Sequence, residues 1–540
     1  MSTLSKITPS DDPQFDLFHG LPGNPRQPIL RNALDSGRRF VTGDPKRIYL
    51  GTTPLSDHLK QSEQITPFTV AGLLDEQDWR AFESRYKPTG RAPYSPRLML
   101  GLILYGVMQG VHSLRDLERL ARLDLGCMWV TGGITPDHTN IGRFIVMHEA
   151  SLTEEFFESL TSSILKATGS CSTRVAGDGT VIEAACSHYK LLKEEAVKER
   201  AAAAQRAAAL NPDDAAAQVK QQTSAERLRI FDERKQARQR SGRATDTLGV
   251  SPTEPEAMVQ PLKRGRGTGP SYKPSVLANE DRIVTALAVH PSMETKVVGA
   301  MLDQSKRITG EPVQELLLDA GYFDDGVIAA TLERDVSLLC PEGNTSGLSN
   351  KSTPFHKSQF QYDPTNDEYR CPTGQVLILL KNVSATPTKR AYGLYGTRAC
   401  GQCPSRASCT KTKARQIRRH PEEHLRDALR QVMEHPQVRS IFSKRKAMVE
   451  PVFSHLRQQQ GLNRFRRKGL KQVKREFALH IMAYNLSRAV ALLKGLLPAL
   501  ASIFDRLAAA IGLFYTAAPQ NTLDVASPGQ FRQRAVVCYR

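Results

Sequence analysis

Three carboxylates stand far apart in this 540-residue chain, each in its own local setting. Asp178 lies in Val175-Ala176-Gly177-Asp178-Gly179-Thr180-Val181-Ile182, where an apolar strand pattern meets an Asp-Gly pair suited to a hairpin turn. Asp319 follows Leu316-Leu317-Leu318 and precedes Ala320-Gly321-Tyr322. Its carboxylate is expected at the carboxyl end of a sheet strand, where sites in α/β proteins form. Glu450 lies in Arg445-Lys446-Ala447-Met448-Val449-Glu450-Pro451-Val452-Phe453, with Lys446 one helical turn before it and Arg457 two turns after. Two strand-borne aspartates and a helix-borne glutamate are hard oxygen donors. Brought together, they could hold two divalent cations and activate water or a 3′-hydroxyl against a phosphodiester. Each also has a plainer use: a turn residue for Asp178, a helix cap for Asp319 (with Asp324 and Asp325 competing for that task), and a surface ion pair for Glu450.

Taken in this order and context, the segments resemble the DDE transposases of bacterial insertion sequences, in the branch with a helical N-terminal domain and a cysteine cluster ahead of the glutamate. In that family the first Asp is followed by Gly-Thr, the second by a small residue and Gly-Tyr, and the Glu stands in Val-Glu-Pro-Val-Phe, as here. The likeness runs from about Tyr94 to Leu493. It implies an RNase H-like catalytic domain with Asp178, Asp319 and Glu450 as catalytic residues and ligands of Mg²⁺, with Mn²⁺ as a substitute. It also implies metal-dependent DNA cleavage at element ends, strand transfer into target DNA, and a homodimer when two ends are paired. The family often brackets its Glu with Tyr, Arg and Lys. Those positions are Ser443, Lys446 and Arg457 here, so positive charge is kept and the aromatic side chain for a flipped base is not. Two other readings stay open: a catalytically inactive DNA-binding descendant of such an enzyme, and a structure-selective nuclease of the same fold that cuts without joining.

Composition points the same way. Lys and Arg number 74 against 55 Asp and Glu, a formal charge of +19. From Lys411 to Arg475 there are nineteen cations and five acids, so much of the excess surrounds Glu450, as a polyanionic partner requires. The opening Met1-Ser2-Thr3-Leu4-Ser5-Lys6 has no apolar stretch behind it, and the longest apolar run, Leu98 to Met108, is too short for a bilayer. The expectation is a cytoplasmic, nucleoid-associated protein with no membrane contact, acting on double-stranded DNA.

The elements that must position the carboxylates form an α/β chain with a mixed sheet, preceded by an all-helical domain. Residues 1–90, rich in Pro, Gly and Asp, are expected to be partly disordered with short helices around Val70 to Tyr86. Residues 91–170 read as helices, beginning at Ser95-Pro96, with a capping pattern at Ser113 and another start at Pro136-Asp137. This domain either contacts DNA or only packs. Residues 171–495 alternate strands (Thr173–Ala176, Arg282–Val289, Glu315–Leu318, Val336–Leu339) with helices. They carry two insertions. Residues 189–242 are hydrophilic and split by Asn211-Pro212-Asp213-Asp214, a solvated helical hairpin that could also serve as a DNA arm or dimer contact. Thr245 to Pro274 reads as a Gly/Pro-rich loop with Lys263, Arg264 and Arg266 near phosphates. Residues 355–415 are Cys-rich: Cys371, Cys400, Cys403 and Cys409 offer one C-x-x-C pair and two further thiols for a structural Zn²⁺, or are reduced cysteines in a loop region. After Glu450, Arg464, Arg466, Arg467 and Lys468 form a basic loop, read as DNA-contacting together with Lys446 and Arg457 rather than as a solvated charge run. Residues 496–540 form a tail.

Overall fold

The computed structural model describes residues 29–31 and 39–516, apart from 150, 152–153, 263–264, 266, 344–353 and 387–389. Residues 1–28, the basic trio Lys263, Arg264 and Arg266, and the tail from 517 lie outside the described residues. Residues 1–490 form one compact unit and 491–540 a second.

Helices begin at Leu55–Gln61, well before the boundary expected at 91, and continue with Thr66–Asp75. Pro96–Met108 is buried from Leu98 to Val107 and packs on Thr66–Asp75 and Leu125–Thr131, so the earlier helices belong to the same helical layer. Its apolar run leaves no polar face and so takes the centre of the bundle. Two expected starts are capped as the sequence suggests. Ser113 accepts from the Asp116 N–H at 3.1 Å, and Asp137 from the Asn140 N–H at 2.7 Å.

Beyond the helical layer the chain builds a mixed sheet of β1 (Arg174–Gly179), β2 (Ile182–Glu183), β3 (Met258–Pro261), β4 (Thr268–Asn279), β5 (Val284–His290), β6 (Glu315–Leu317) and β7 (Ser337–Leu339). β1, β6 and β7 run parallel, and β4 pairs antiparallel with both β1 and β5. The main strands therefore lie side by side as β5-β4-β1-β6-β7, third-second-first-fourth-fifth in chain order. Val175, Leu277, Ala286, Leu316 and Leu318 pack with Leu302 and Val327 of the helices α3 (Val298–Thr309) and α4 (Asp325–Leu332). Each of the Val and Leu side chains contributes about 1.5–3 kcal/mol by leaving water.

Two local expectations are corrected here. Asp178 and Gly179 do not turn; they continue β1, opposite Val276 and Ser275 of β4. The stretch Thr268 to Pro274 is likewise strand, not loop. Its prolines are tolerated because their carbonyls carry the pairing: Thr180 donates to the Pro274 carbonyl at 2.9 Å and Ala184 to that of Pro270 at 3.0 Å.

The first insertion is the helix pair α1 (Glu194–Leu210) and α2 (Ala215–Arg240), rooted by Leu192, Val197, Phe231, Leu248 and Val250. The Cys-rich insertion is a five-stranded antiparallel sheet from Gln361 to Arg419 over Phe360, Tyr369, Leu377, Tyr395 and Ile417. α5 (Arg445–Gln458) then returns against β1 and β4, and α6 (Leu470–Thr516) follows it in the chain. Asn485 of α6 is buried and pins edge strand β5, accepting from the Val284 N–H and donating to its carbonyl, both at 2.9 Å.

Candidate active site

The pairing of β1 with β6 sets the first two acids. Ala176 lies opposite Leu317 in parallel register, and Asp178 and Asp319 follow them by two residues each. Both carboxylates therefore leave the same end of neighbouring strands. Between them stands a residue that the local motif reading passed over. Arg445, the first residue of α5, is 7% exposed on its side chain, and its Nη2 lies 3.2 Å from Asp178 Oδ1 and 3.7 Å from Asp319 Oδ2. The same nitrogen donates to the Gly177 carbonyl at 3.1 Å. The cap of α4 goes to the competitor Asp324, which accepts from the Gly326 N–H at 2.9 Å. Asp319 Oδ1 instead accepts from the Gly321 N–H at 2.9 Å in the short turn after β6, and its Oδ2 faces Arg445.

A fourth acid comes close. Glu294 precedes α3 and pairs with Lys273 at 3.2 Å. A Cβ on Gly179 would run into Glu294 Oε2, the far end of a flexible side chain, which would have to swing aside. Buried Tyr322 reports the grouping. Burial raises its hydroxyl pKa most, and the negative charges of Glu294, Asp178 and Asp319 raise it further. The Cys340 thiol donates to the Asp319 carbonyl at 3.1 Å and is pushed up to about 12 by burial and by the Asp319 charge.

α5 is fastened at both ends along β1. Arg445 holds Gly177, and Arg457 donates to Thr180 Oγ1 and, at 3.4 Å, to the Val181 carbonyl. Met448, Val449, Val452 and Phe453 bury the helix against the sheet, while Lys446 and Glu450 are exposed. Five residues from Arg445, Glu450 is rotated by about 140° around the helix. Among the described residues no three acidic, histidine or cysteine side chains are gathered tightly enough to hold a metal ion. Asp178 and Asp319 are thus brought together, and Glu450 stands on an exposed flank of the helix beside them without joining the pair.

The cations predicted to hold DNA divide into two sets. Arg457 is engaged as described, and Arg464 donates to the carbonyls of Ala184 at 2.9 Å and Cys186 at 2.7 Å, fastening its loop to the sheet. The loop's own backbone is held by acids: the Glu476 carboxylate accepts from the N–H groups of Arg466 and Arg467, and Glu256 from that of Leu470 at 2.6 Å. These anchors use main-chain N–H groups and leave the side chains of Arg466 and Lys468 exposed.

Cys371, Cys400, Cys403 and Cys409 line one cavity of about 20 Å³ in the second insertion. The Gln375 N–H points at Cys371 Sγ at 3.3 Å, and burial together with the neighbouring thiols pushes the Cys409 pKa up, against the pull of Arg415.

Residues 370–490 match the model of a transposase DDE domain, and residues 63–146 that of a transposase domain, DUF772. Both are transposase models, and together they indicate a DDE transposase of an insertion sequence. A search among curated proteins found no match. The first match carries Glu450, Arg445 and the cysteine cavity of the transposase; Asp178 and Asp319 lie outside both matches, so their place rests on the strand register and the shared guanidinium. Among the described residues the transposase has no helix long and apolar enough to cross a membrane.

Proposed function

We propose that the transposase cuts double-stranded DNA at the ends of its own element and joins the freed 3′ ends to target DNA, with Asp178, Asp319 and Glu450 as its catalytic carboxylates. The observation that carries this reading is the convergence of Asp178 and Asp319 on one cationic group at the ends of adjacent parallel strands. The strand order β5-β4-β1-β6-β7, with the first, fourth and fifth strands parallel, supports an RNase H-like fold.

Hard carboxylate oxygens that already converge on a cation suit Mg²⁺, or Mn²⁺ in its place. Ions held there would supply Lewis acidity for phosphodiester cleavage and joining. The chain's own residues set the geometry. Asp178 and Asp319 provide the inner oxygens, and Arg445 keeps the two strand ends in register. Glu450, on a helix fastened at both ends, is held beside them on the exposed side from which DNA arrives. Lys446, Arg466, Arg467 and Lys468 hold the phosphates next to it, while Arg457 and Arg464 keep helix and loop in place for that contact. Pairing two ends calls for two copies of the chain on the DNA. In the Cys-rich insertion, Cys371, Cys400, Cys403 and Cys409 are the proposed donors of a structural Zn²⁺, on the ground that all four line one cavity.

Asp319→Asn tests the assignment. The variant is expected to bind DNA ends as the wild type does and to lose cleavage by at least about a thousandfold. Cleavage at the wild-type rate would overturn the site. Strand-transfer products separate a transposase from a nuclease of the same fold.

A further inference from the structure

Two groups of charges are paired within the hydrophilic hairpin. Lys198 and Lys235 meet Glu194 at 2.7 Å each, and Arg229 lies between Glu226 and Glu233. Elsewhere on the hairpin the surface is different. A cleft of about 520 Å³ opens there, lined by Arg200 of α1 and by Lys220, Thr223, Ser224 and Arg227 of α2, with Pro252 alongside and no carboxylate in its wall. Arg227 is only 8% exposed. Its Nη2 donates to the Pro252 carbonyl at 2.7 Å, and its Nε meets no acceptor among the described residues. Burial depresses its pKa, and the like charge of Arg200 depresses it further. Arg200 and Lys220 are exposed and form no ion pair among the described residues. A buried guanidinium without an anion is costly, and the cost is removed when an anion enters.

We propose that this cleft binds backbone phosphates of double-stranded DNA, making the inserted hairpin a DNA-holding arm. The proposal rests on the transposase reading but uses none of the residues of the acidic site. Arg227 supplies the fixed, desolvated cation, Arg200 and Lys220 close on the phosphate from facing helices, and Ser224 adds a hydroxyl. The Thr223 hydroxyl is already donated to the Val219 carbonyl at 2.8 Å and serves as wall. An open cleft several times larger than one phosphate ion suits a strand lying along it better than a captured free ion.

The test uses the full chain, a short duplex of arbitrary sequence, and the double variant Arg200→Ala/Lys220→Ala, whose exposed positions leave the fold intact. The expected result is a Kd raised about tenfold at 0.1 M salt and a salt slope shallower by about 1–2. Arg227→Gln is expected to give the same direction. An unchanged affinity and slope would overturn the proposal. So would inorganic phosphate that binds to the wild type and not to the double variant, seen by ³¹P line broadening, while duplex affinity stays the same; the cleft would then be a free-ion site. Cleavage is read separately. A duplex affinity that depends on the cleft in a chain that never cuts keeps the arm and removes the chemistry, whereas cutting with unchanged affinity does the reverse.

Discussion

A guanidinium between two carboxylates cancels their repulsion and fixes their spacing, and Arg445 does both for Asp178 and Asp319. Removing it leaves two like charges side by side. Arg445→Met is therefore expected to lower stability by about 1–3 kcal/mol and to gain more in Tm from added Mn²⁺ than the wild type does. Thermal melts with and without the ion check this, and an equal response of the two proteins would remove Arg445 from the acidic site. The close approach of Glu294 makes a second prediction. Gly179→Ala must push that flexible carboxylate aside, costing about 0.5–1.5 kcal/mol, and Gly179→Ala/Glu294→Ala should recover most of the loss. A double variant no more stable than the single one would show that the crowding lies elsewhere.

At the scale of elements, legibility followed locality. Apolar runs such as Leu316-Leu317-Leu318 and the turn at Asn211-Pro212 declare strands and a helix pair by themselves, because their signals are contiguous. β4 was hidden by Pro270 and Pro274, whose carbonyls rather than N–H groups make the pairing. Glu450 drew attention to neighbours at helical spacing, Lys446 and Arg457, while Arg445, which faces the aspartates, stands off that face. Glu294 carries no motif at all, and its approach to Gly179 exists only after β1 and α3 are in place. The cysteine insertion adds an element-scale prediction. If its four thiols hold zinc, the purified chain contains about one Zn per chain by elemental analysis, and Cys403→Ser lowers both the content and the protease resistance of residues 355–415. A metal-free chain with a protease-resistant insertion would leave the cysteines as packing residues.

For the whole molecule, buried histidines set the response to acid. His480, bonded to Gln460 at 2.8 Å, is lowered to about 3 by burial and by nearby His112 and Arg466; His148 is lowered to about 4 by burial and by Arg85. Both stay neutral in the folded chain and charge near pH 6.5 when unfolded, so their contribution is present above about 6.5 and is lost as pH falls. By pH 5 each costs about 2 kcal/mol. Buried Glu254 and Glu476, whose pKa values are raised chiefly by burial, act in the opposite sense closer to the ordinary carboxylate range. Urea unfolding at pH 7.5, 6.5 and 5.5 should thus show a steady fall, and a flat profile would mean that these histidines are not buried. The arrangement around Arg445 also has a consequence for synthesis. Its bond to Gly177 joins residues 268 positions apart. A ribosome must therefore pass residue 445 before the two aspartates acquire their common partner. A nascent or truncated product that ends between residues 240 and 445 carries the helical layer and the hairpin without the guanidinium that joins the two aspartates, and such fragments would compete with the finished protein for the same DNA.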